Sequence, residues 1–270
     1  MKDKRVLYVS SEVIPYLPET EISSMSFEAP KMVNNNSGQI RIFMPRYGNI
    51  NERRHQLHEV IRLSGMNLVI NDLDMPLIIK VASIPKERMQ VYFIDNEDYF
   101  KRKATYADED GVFFPDNDER AIFFAKGVIE TVKKLNWSPD IIHVHGWLAS
   151  FLPLYLRNYY GNEPLFENSK IVTTVYNQGF PGSLDKGTID KIRFDAIEED
   201  VISPLEDPNY ENVMKVAISN SDAVIIGSEE LPEGLQEFLN NLDKPVLKYH
   251  NIDDFSQAYL DFYESEVLQE

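Results

Sequence analysis

The chain has 270 residues, 43% hydrophobic and 26% charged, the balance of a folded globular protein rather than a disordered one. Its 44 Asp and Glu against 27 Lys and Arg give a formal net charge of −17, which repels phosphate backbones and anionic lipid heads and argues against nucleic-acid and membrane partners. Cysteine is absent, so disulfides, thiolate metal sites and cysteine nucleophiles are excluded.

MKDKRVLYVSSE carries no signal-peptide-like apolar stretch, and no window is long and apolar enough to span a bilayer, so a cytoplasmic location is expected. Arg5–Ser10 is an apolar run of strand length, the first strand of a doubly wound sheet. Ser11–Ser26, with Pro15 and Pro18, reads as a loop, followed by a short helix over Phe27–Val33. Asn34–Gly38 forms a turn into a second strand, Ile40–Pro45. Met66–Ile70, Leu77–Ile84 and Met89–Ile94 are strand-like runs joined by short turns, which predicts an antiparallel extension rather than βαβ units. A short helix over Glu97–Lys103 and an acidic, turn-rich stretch over Asp108–Asp118 precede an amphipathic helix, Glu119–Leu135.

The sequence DIIHVHGWLASFLPLYLR follows, a buried strand ending in His143, His145, Gly146 and Trp147 and running into an apolar helix. In an open α/β sheet ligands bind outside the carboxyl ends of the strands, so this cluster is either a candidate site or the closure of a strand-to-helix turn. Beyond it, Lys170–Tyr176 is a strand and Asn177–Gly187 a Gly/Pro-rich loop. Glu211–Asn220 is a helix, Ala223–Ile226 a strand, Glu229–Asn240 a helix, Pro245–Tyr249 a strand and Asp254–Glu266 a closing helix. The alternation predicts a single α/β domain with a Rossmann-like, largely parallel sheet covered on both faces and carrying a β-meander extension.

No Walker A loop, GxGxxG, HExxH or GxSxG occurs. His143 and His145 are expected on opposite strand faces, unable to chelate one metal. His55 and His58, three apart in RRHQLHEV, are read as part of a solvated helix. The acidic group at Asp108, Glu109, Asp110, Asp116 and Asp118 lacks EF-hand spacing and reads as a solvated loop, so no metal site is expected. Glu12, directly after the first strand, is either a turn or capping residue or a catalytic carboxylate.

Three segments in order resemble the bacterial glycogen synthases and plant starch synthases. VLYVSSEVIPYLPETEISSMSFEAPK resembles the opening strand, the SSE-x-x-P motif and the helix after it. IRIFMPRYGNI is similar to the strand ending in Pro-x-Tyr, and PDIIHVHGWLASFLPLYLR to the His-x-His-Asp-Trp strand and helix. DNDERAIFFAKGVIE and KIVTTVYNQG add weaker support, and the resemblance runs from Lys4 to about Gly182. It implies one lobe of a B-type glycosyltransferase that moves glucose from ADP-glucose to an α-1,4-glucan with retention, without metal or other cofactor. Glu12, the surviving Arg46, Tyr47, His145, Trp147 and Asn177, and Tyr176 are the implied cleft or glucan-binding candidates, aromatic faces stacking on sugar rings.

The departures fall on the donor side. Pro18 stands where the family has its nucleotide-binding Lys, and Thr20 and Glu21 replace two glycines. Gly146 replaces the Asp of His-x-His-Asp-Trp, Tyr176 replaces a His, and about three residues are missing after Asn177 when the motifs are aligned. A cation for phosphate is lost, and Glu21 adds repulsion. Family members carry a second lobe with further donor contacts, expected to be absent from residues 1–270. The chain is therefore expected to be inactive alone. The rival expectations are a glucan-binding or regulatory module, and a subunit whose protein partner supplies the second lobe.

Overall fold

The computed structural model describes residues 1–269. In chain order the strands are β1 (Arg5–Ser10), β2 (Gln39–Pro45), β3 (His58–Glu59), β4 (Met66–Ile70), β5 (Leu73–Ile84), β6 (Met89–Asp95), β7 (Ile141–His145), β8 (Lys170–Val175), β9 (Ala223–Ile226) and β10 (Val246–Leu247). The α-helices are α1 (Glu21–Asn35), α2 (Glu52–His55), α3 (Glu97–Phe100), α4 (Asn117–Leu135), α5 (Phe151–Asn158), α6 (Thr188–Arg193), α7 (Glu199–Ile202), α8 (Tyr210–Ser219), α9 (Glu233–Asn240) and α10 (Phe255–Asp261), the last running into a π-helical turn, Phe262–Val267.

The sheet order is β10-β9-β8-β7-β1-β2-β6-β5-β3, with β4 pairing β5. From β10 to β6 every pairing is parallel, whereas β5 runs antiparallel to β6, β3 and β4. The expected Rossmann-like sheet and antiparallel extension are both present. The chain order moves outward from β1 through β2 in one direction and from β7 through β8 in the other. The β1/β7 junction is therefore the topological switch point, where the carboxyl ends splay and leave a crevice. Right-handed crossovers then place α1 and α5 on opposite faces of the sheet.

Side-chain alternation makes the two faces chemically different. Leu7, Val9, Ile142 and Val144 form an apolar layer. The other face carries Tyr8, Ser10, His143 and His145, all fully buried, against Tyr259 and Tyr263 of the C-terminal helix. His143 and His145 thus share one face, their ring centroids 4.0 Å apart, because residues two apart on a strand point the same way. The expectation of opposite faces is corrected.

Two other local expectations fail for identifiable reasons. Helix α1 begins at Glu21, six residues before Phe27, because Thr20 caps it: its hydroxyl accepts from the Ser23 amide at 3.0 Å, and the Ser23 hydroxyl accepts from the Thr20 amide at 2.8 Å. Ile22, Met25, Ala29 and Val33 then bury one stripe, and Pro30 is accommodated inside the helix. RRHQLHEV is not one helix either. α2 stops at His55 because Gln56 adopts a left-handed conformation (φ 56°), and His58 lies on β3. In the acidic loop, Asp108 Oδ1 accepts from the amides of Asp110 (3.0 Å) and Val112 (2.8 Å), so that carboxylate organises a tight turn.

The second half of the chain is pinned by a buried ion pair. Lys126 Nζ on α4 lies 2.6 Å from Asp195 Oδ1 after α6, while Tyr155 on α5 donates to the other Asp195 oxygen at 2.7 Å. Lys126→Met leaves the Asp195 charge buried without its cation and is expected to cost about 3 kcal/mol in urea denaturation. Lys126→Met/Asp195→Leu should recover most of that loss; an unchanged double variant would show that packing, not charge, ties α4 to α6.

Candidate functional site

The carboxyl ends of β1, β2, β7 and β8 converge on Glu12. Its Oε1 accepts from Tyr106 Oη at 2.9 Å and Gln178 Nε2 at 3.1 Å; its Oε2 accepts from Thr20 Oγ1 at 2.8 Å. Three segments remote in sequence are thus tied to one carboxylate that is itself nearly buried. Tyr47, after β2, donates to the Ser11 carbonyl at 3.0 Å, and the Ser11 hydroxyl accepts from the Leu148 amide at 3.1 Å. Burial of Tyr47 and Tyr106 raises both phenols, so they act as hydrogen-bond donors rather than as phenolates.

The histidines continue the network on the inner face. His143 Nδ1 meets Tyr263 Oη and its Nε2 meets Thr174 Oγ1, both at 2.6 Å; His145 Nδ1 meets Tyr176 Oη at 2.7 Å. His145 Nε2 is buried and makes no hydrogen bond. Burial pushes His145 down to about 3, and burial with His145 alongside pushes His143 well below the usual imidazole range. Both rings are neutral.

Several sequence candidates therefore come together, but in a closed form. Tyr47, His145, Trp147 and Tyr176 are each at most 2% exposed. Trp147 lies beneath Tyr106 (centroids 4.9 Å), Phe113 (5.6 Å) and Phe180 (4.9 Å), so its ring faces are taken up by the protein rather than open for sugar stacking. Arg46 is committed elsewhere: its Nε lies 3.0 Å from Asp95 Oδ2 and 3.3 Å from Glu52 Oε1, with Lys80 bridging the same two carboxylates. Asn177 is exposed at the rim, its amide donating to Ser228 Oγ at 2.8 Å. Tyr106, Gln178 and Ser228 were not legible as site residues, because each meets the cluster only through a long-range contact.

Thr20 and Glu21 line a neighbouring cleft of about 240 Å3 at the start of α1, walled also by Glu19, Tyr249, His250 and Asn251, whereas Pro18 and Gly146 do not line it. No Lys or Arg lines it. Glu21 accepts a hydrogen bond from Ser228, and Pro18 is exposed beside it. A free helix N-terminus attracts phosphate through unspent amides, but here the Thr20–Ser23 box spends one of them and two carboxylates flank the rest.

Gly146 sits at φ 82°, ψ 157°, a region that side-chain-bearing residues essentially do not occupy. A Cβ there would also lie 2.6 Å from Ser11 Oγ.

The parallel sheet, its switch-point crevice and the carboxyl-end cluster define one Rossmann-like lobe of the glycosyltransferase B type. The chain belongs to the family of the starch synthase catalytic domain, whose model matches residues 5–244. It is 35% identical over 234 residues to a glycogen synthase from Chlorobium phaeobacteroides, covering 86% of this chain and 47% of that one. A glycogen synthase from Chlorobaculum tepidum is 33% identical over 250 residues, covering 91% and 49% respectively. The chain thus spans about half the length of these curated relatives. In fold it is similar to the catalytic domain of starch synthase IV from Arabidopsis thaliana bound to ADP and acarbose, with a TM-score of 0.75 and 17% identity over 93% of this chain and 52% of that one. Among the described residues no helix is long and apolar enough to cross a membrane.

Two predictions follow from this geometry. Restoring the family's carboxylate with Gly146→Asp should destabilise the chain by at least about 2 kcal/mol, from backbone strain and overpacking together. Adding Ser11→Gly should relieve only the steric share, as read from urea midpoints. The buried histidines have folded pKa values below their unfolded value near about 6.5, so the unfolded state takes up protons that the folded state refuses. Their stabilising effect is complete above that pH and erodes below it, by up to about 1.4 kcal/mol per pH unit for each ring. His145→Gln should therefore lose less stability than the parent between pH 7 and pH 5; equal losses would mean that His145 charges in the folded state.

Proposed function

We propose that residues 1–270 form a starch/glycogen-synthase-type lobe that does not itself transfer glucose from ADP-glucose, and that it serves α-glucan metabolism as a glucan-binding or partner module. The carrying observation is the start of α1, where a self-capped helix flanked by Glu19 and Glu21 offers a diphosphate no cation. Glucosyl transfer from a sugar nucleotide needs positive charge or hydrogen-bond donors aimed at the departing diphosphate. A carboxylate pair at that position opposes both donor binding and departure of the leaving group. On this reading the Glu12 network, with Tyr47, His145, Trp147 and Tyr176, forms the floor of the cleft. Asn177 and Gln178 at its rim are the groups accessible to a sugar hydroxyl.

The test is transfer of labelled glucose from ADP-glucose to glycogen by the purified chain, run beside a native gel containing glycogen. The expected result is no incorporation above a protein-free blank, together with retardation in the gel. Clear turnover would overturn the reading. A second reading is favoured by the relatives' length, since the chain matches only 47% of the Chlorobium phaeobacteroides enzyme. In that case a second lobe, in cis or from another polypeptide, supplies the donor contacts, and turnover appears only when that lobe is present.

A further inference from the structure

The groove between α2, β3 and the end of β5 has a chemistry opposite to that of the molecule around it. It encloses about 390 Å3 and is lined by Arg54, His55, Gln56, His58, Ser83 and Pro85, without a single carboxylate. In a chain with 44 Asp and Glu against 27 Lys and Arg, a cavity of this size lined only by cationic and neutral groups is out of keeping with the composition.

The local fold explains how these groups converge. Asn51 caps α2, its Oδ1 accepting from the Arg54 amide at 3.0 Å, and the left-handed turn at Gln56 reverses the chain. That reversal brings His58, paired in register with Val81 on β5, beside the last turn of α2. Ser83, two residues beyond Val81, lies on the same strand face. The neighbouring acids are accounted for. Glu52 is held by Lys80 at 2.7 Å and Arg46 at 3.3 Å, and Glu87 lies 3.4 Å from Lys31. Glu59 follows His58 on β3 and so points to the other face.

None of the polar groups on the groove is used internally. The Arg54 guanidinium, the ring nitrogens of His55 and His58, the Gln56 side-chain carboxamide and the Ser83 hydroxyl make no hydrogen bond or ion pair to any described residue. The crowding is electrostatically uncomfortable: burial and the Arg54 charge both lower the basicity of His55. A bound anion would relieve that repulsion. An Arg fork with two imidazoles, an amide and a hydroxyl is a donor set for tetrahedral oxyanions.

We infer that this groove is a binding site for a phosphoryl dianion, either inorganic phosphate or the phosphate group of a small metabolite. The site lies apart from the Glu12 cluster but touches its loop: the His55 ring packs edge-on against Tyr16, centroids 5.0 Å apart, on the segment that carries Glu12. The assignment does not depend on whether the chain transfers glucose.

The experiment is calorimetric titration of the full chain with sodium phosphate at constant ionic strength, with sodium chloride as control and ribose 5-phosphate as a second titrant. Saturable phosphate binding is expected, weakened at least tenfold in Arg54→Gln/His58→Gln, whose lining positions are exposed and whose thermal midpoint should match the parent's. Tighter binding of ribose 5-phosphate would identify a phosphorylated metabolite as the ligand, and equal binding the phosphate group alone; both support the site. A non-saturating response that chloride reproduces, or phosphate binding retained in the double variant, would overturn it.

Discussion

The carboxylate of Glu12 is the constraint on which the cleft depends. A carboxylate removed from water requires hydrogen bonds to its oxygens, and here Thr20, Tyr106 and Gln178 provide them. Each donor comes from a different excursion out of the sheet, so satisfying one charge fixes three loops relative to β1. Tyr47 and Ser11 extend the same logic to β2 and to the segment after β7. The aromatic cover over Trp147 is a consequence, since Tyr106 belongs both to the carboxylate network and to that cover. The result is a switch-point crevice whose floor is filled by the protein's own side chains.

The start of α1 shows how few side chains set the character of a helix terminus. The Thr20–Ser23 box holds one of the α1 amides for the protein, and Glu19 and Glu21 place negative charge beside the others. Gly146 permits a backbone turn in which Ser11 occupies the space a side chain would need.

Most of the architecture was legible because it rests on local patterns. β1 is bounded by the residues the apolar run suggests, and the strand-rich middle is antiparallel because its connections are too short for crossovers. What was illegible rests on contacts between distant residues or on one dihedral angle. The start of α1 was hidden because proline and polar residues resemble a loop until the reciprocal Thr20–Ser23 bonds are seen. The break at Gln56 depends on a left-handed conformation that nothing in RRHQLHEV advertises. Glu12, Tyr47, His145, Trp147 and Tyr176 were read as cleft or glucan-binding candidates from their motifs, but their burial could not be read from residue type. An aromatic ring looks the same in sequence whether sugar or protein lies against it. The misplacement of His143 and His145 on opposite faces was an error of period, not a limit of the sequence.

The ends of the nine-strand path have a consequence for assembly. β10 and β3 are each only two residues long, whereas β5 between the extension strands has twelve. A terminal strand that short exposes too few amides and carbonyls to template another chain. The two ends of this path therefore offer little backbone for another polypeptide to pair with, and the longer free edge of the sheet is that of β4, which among the described residues pairs only with β5.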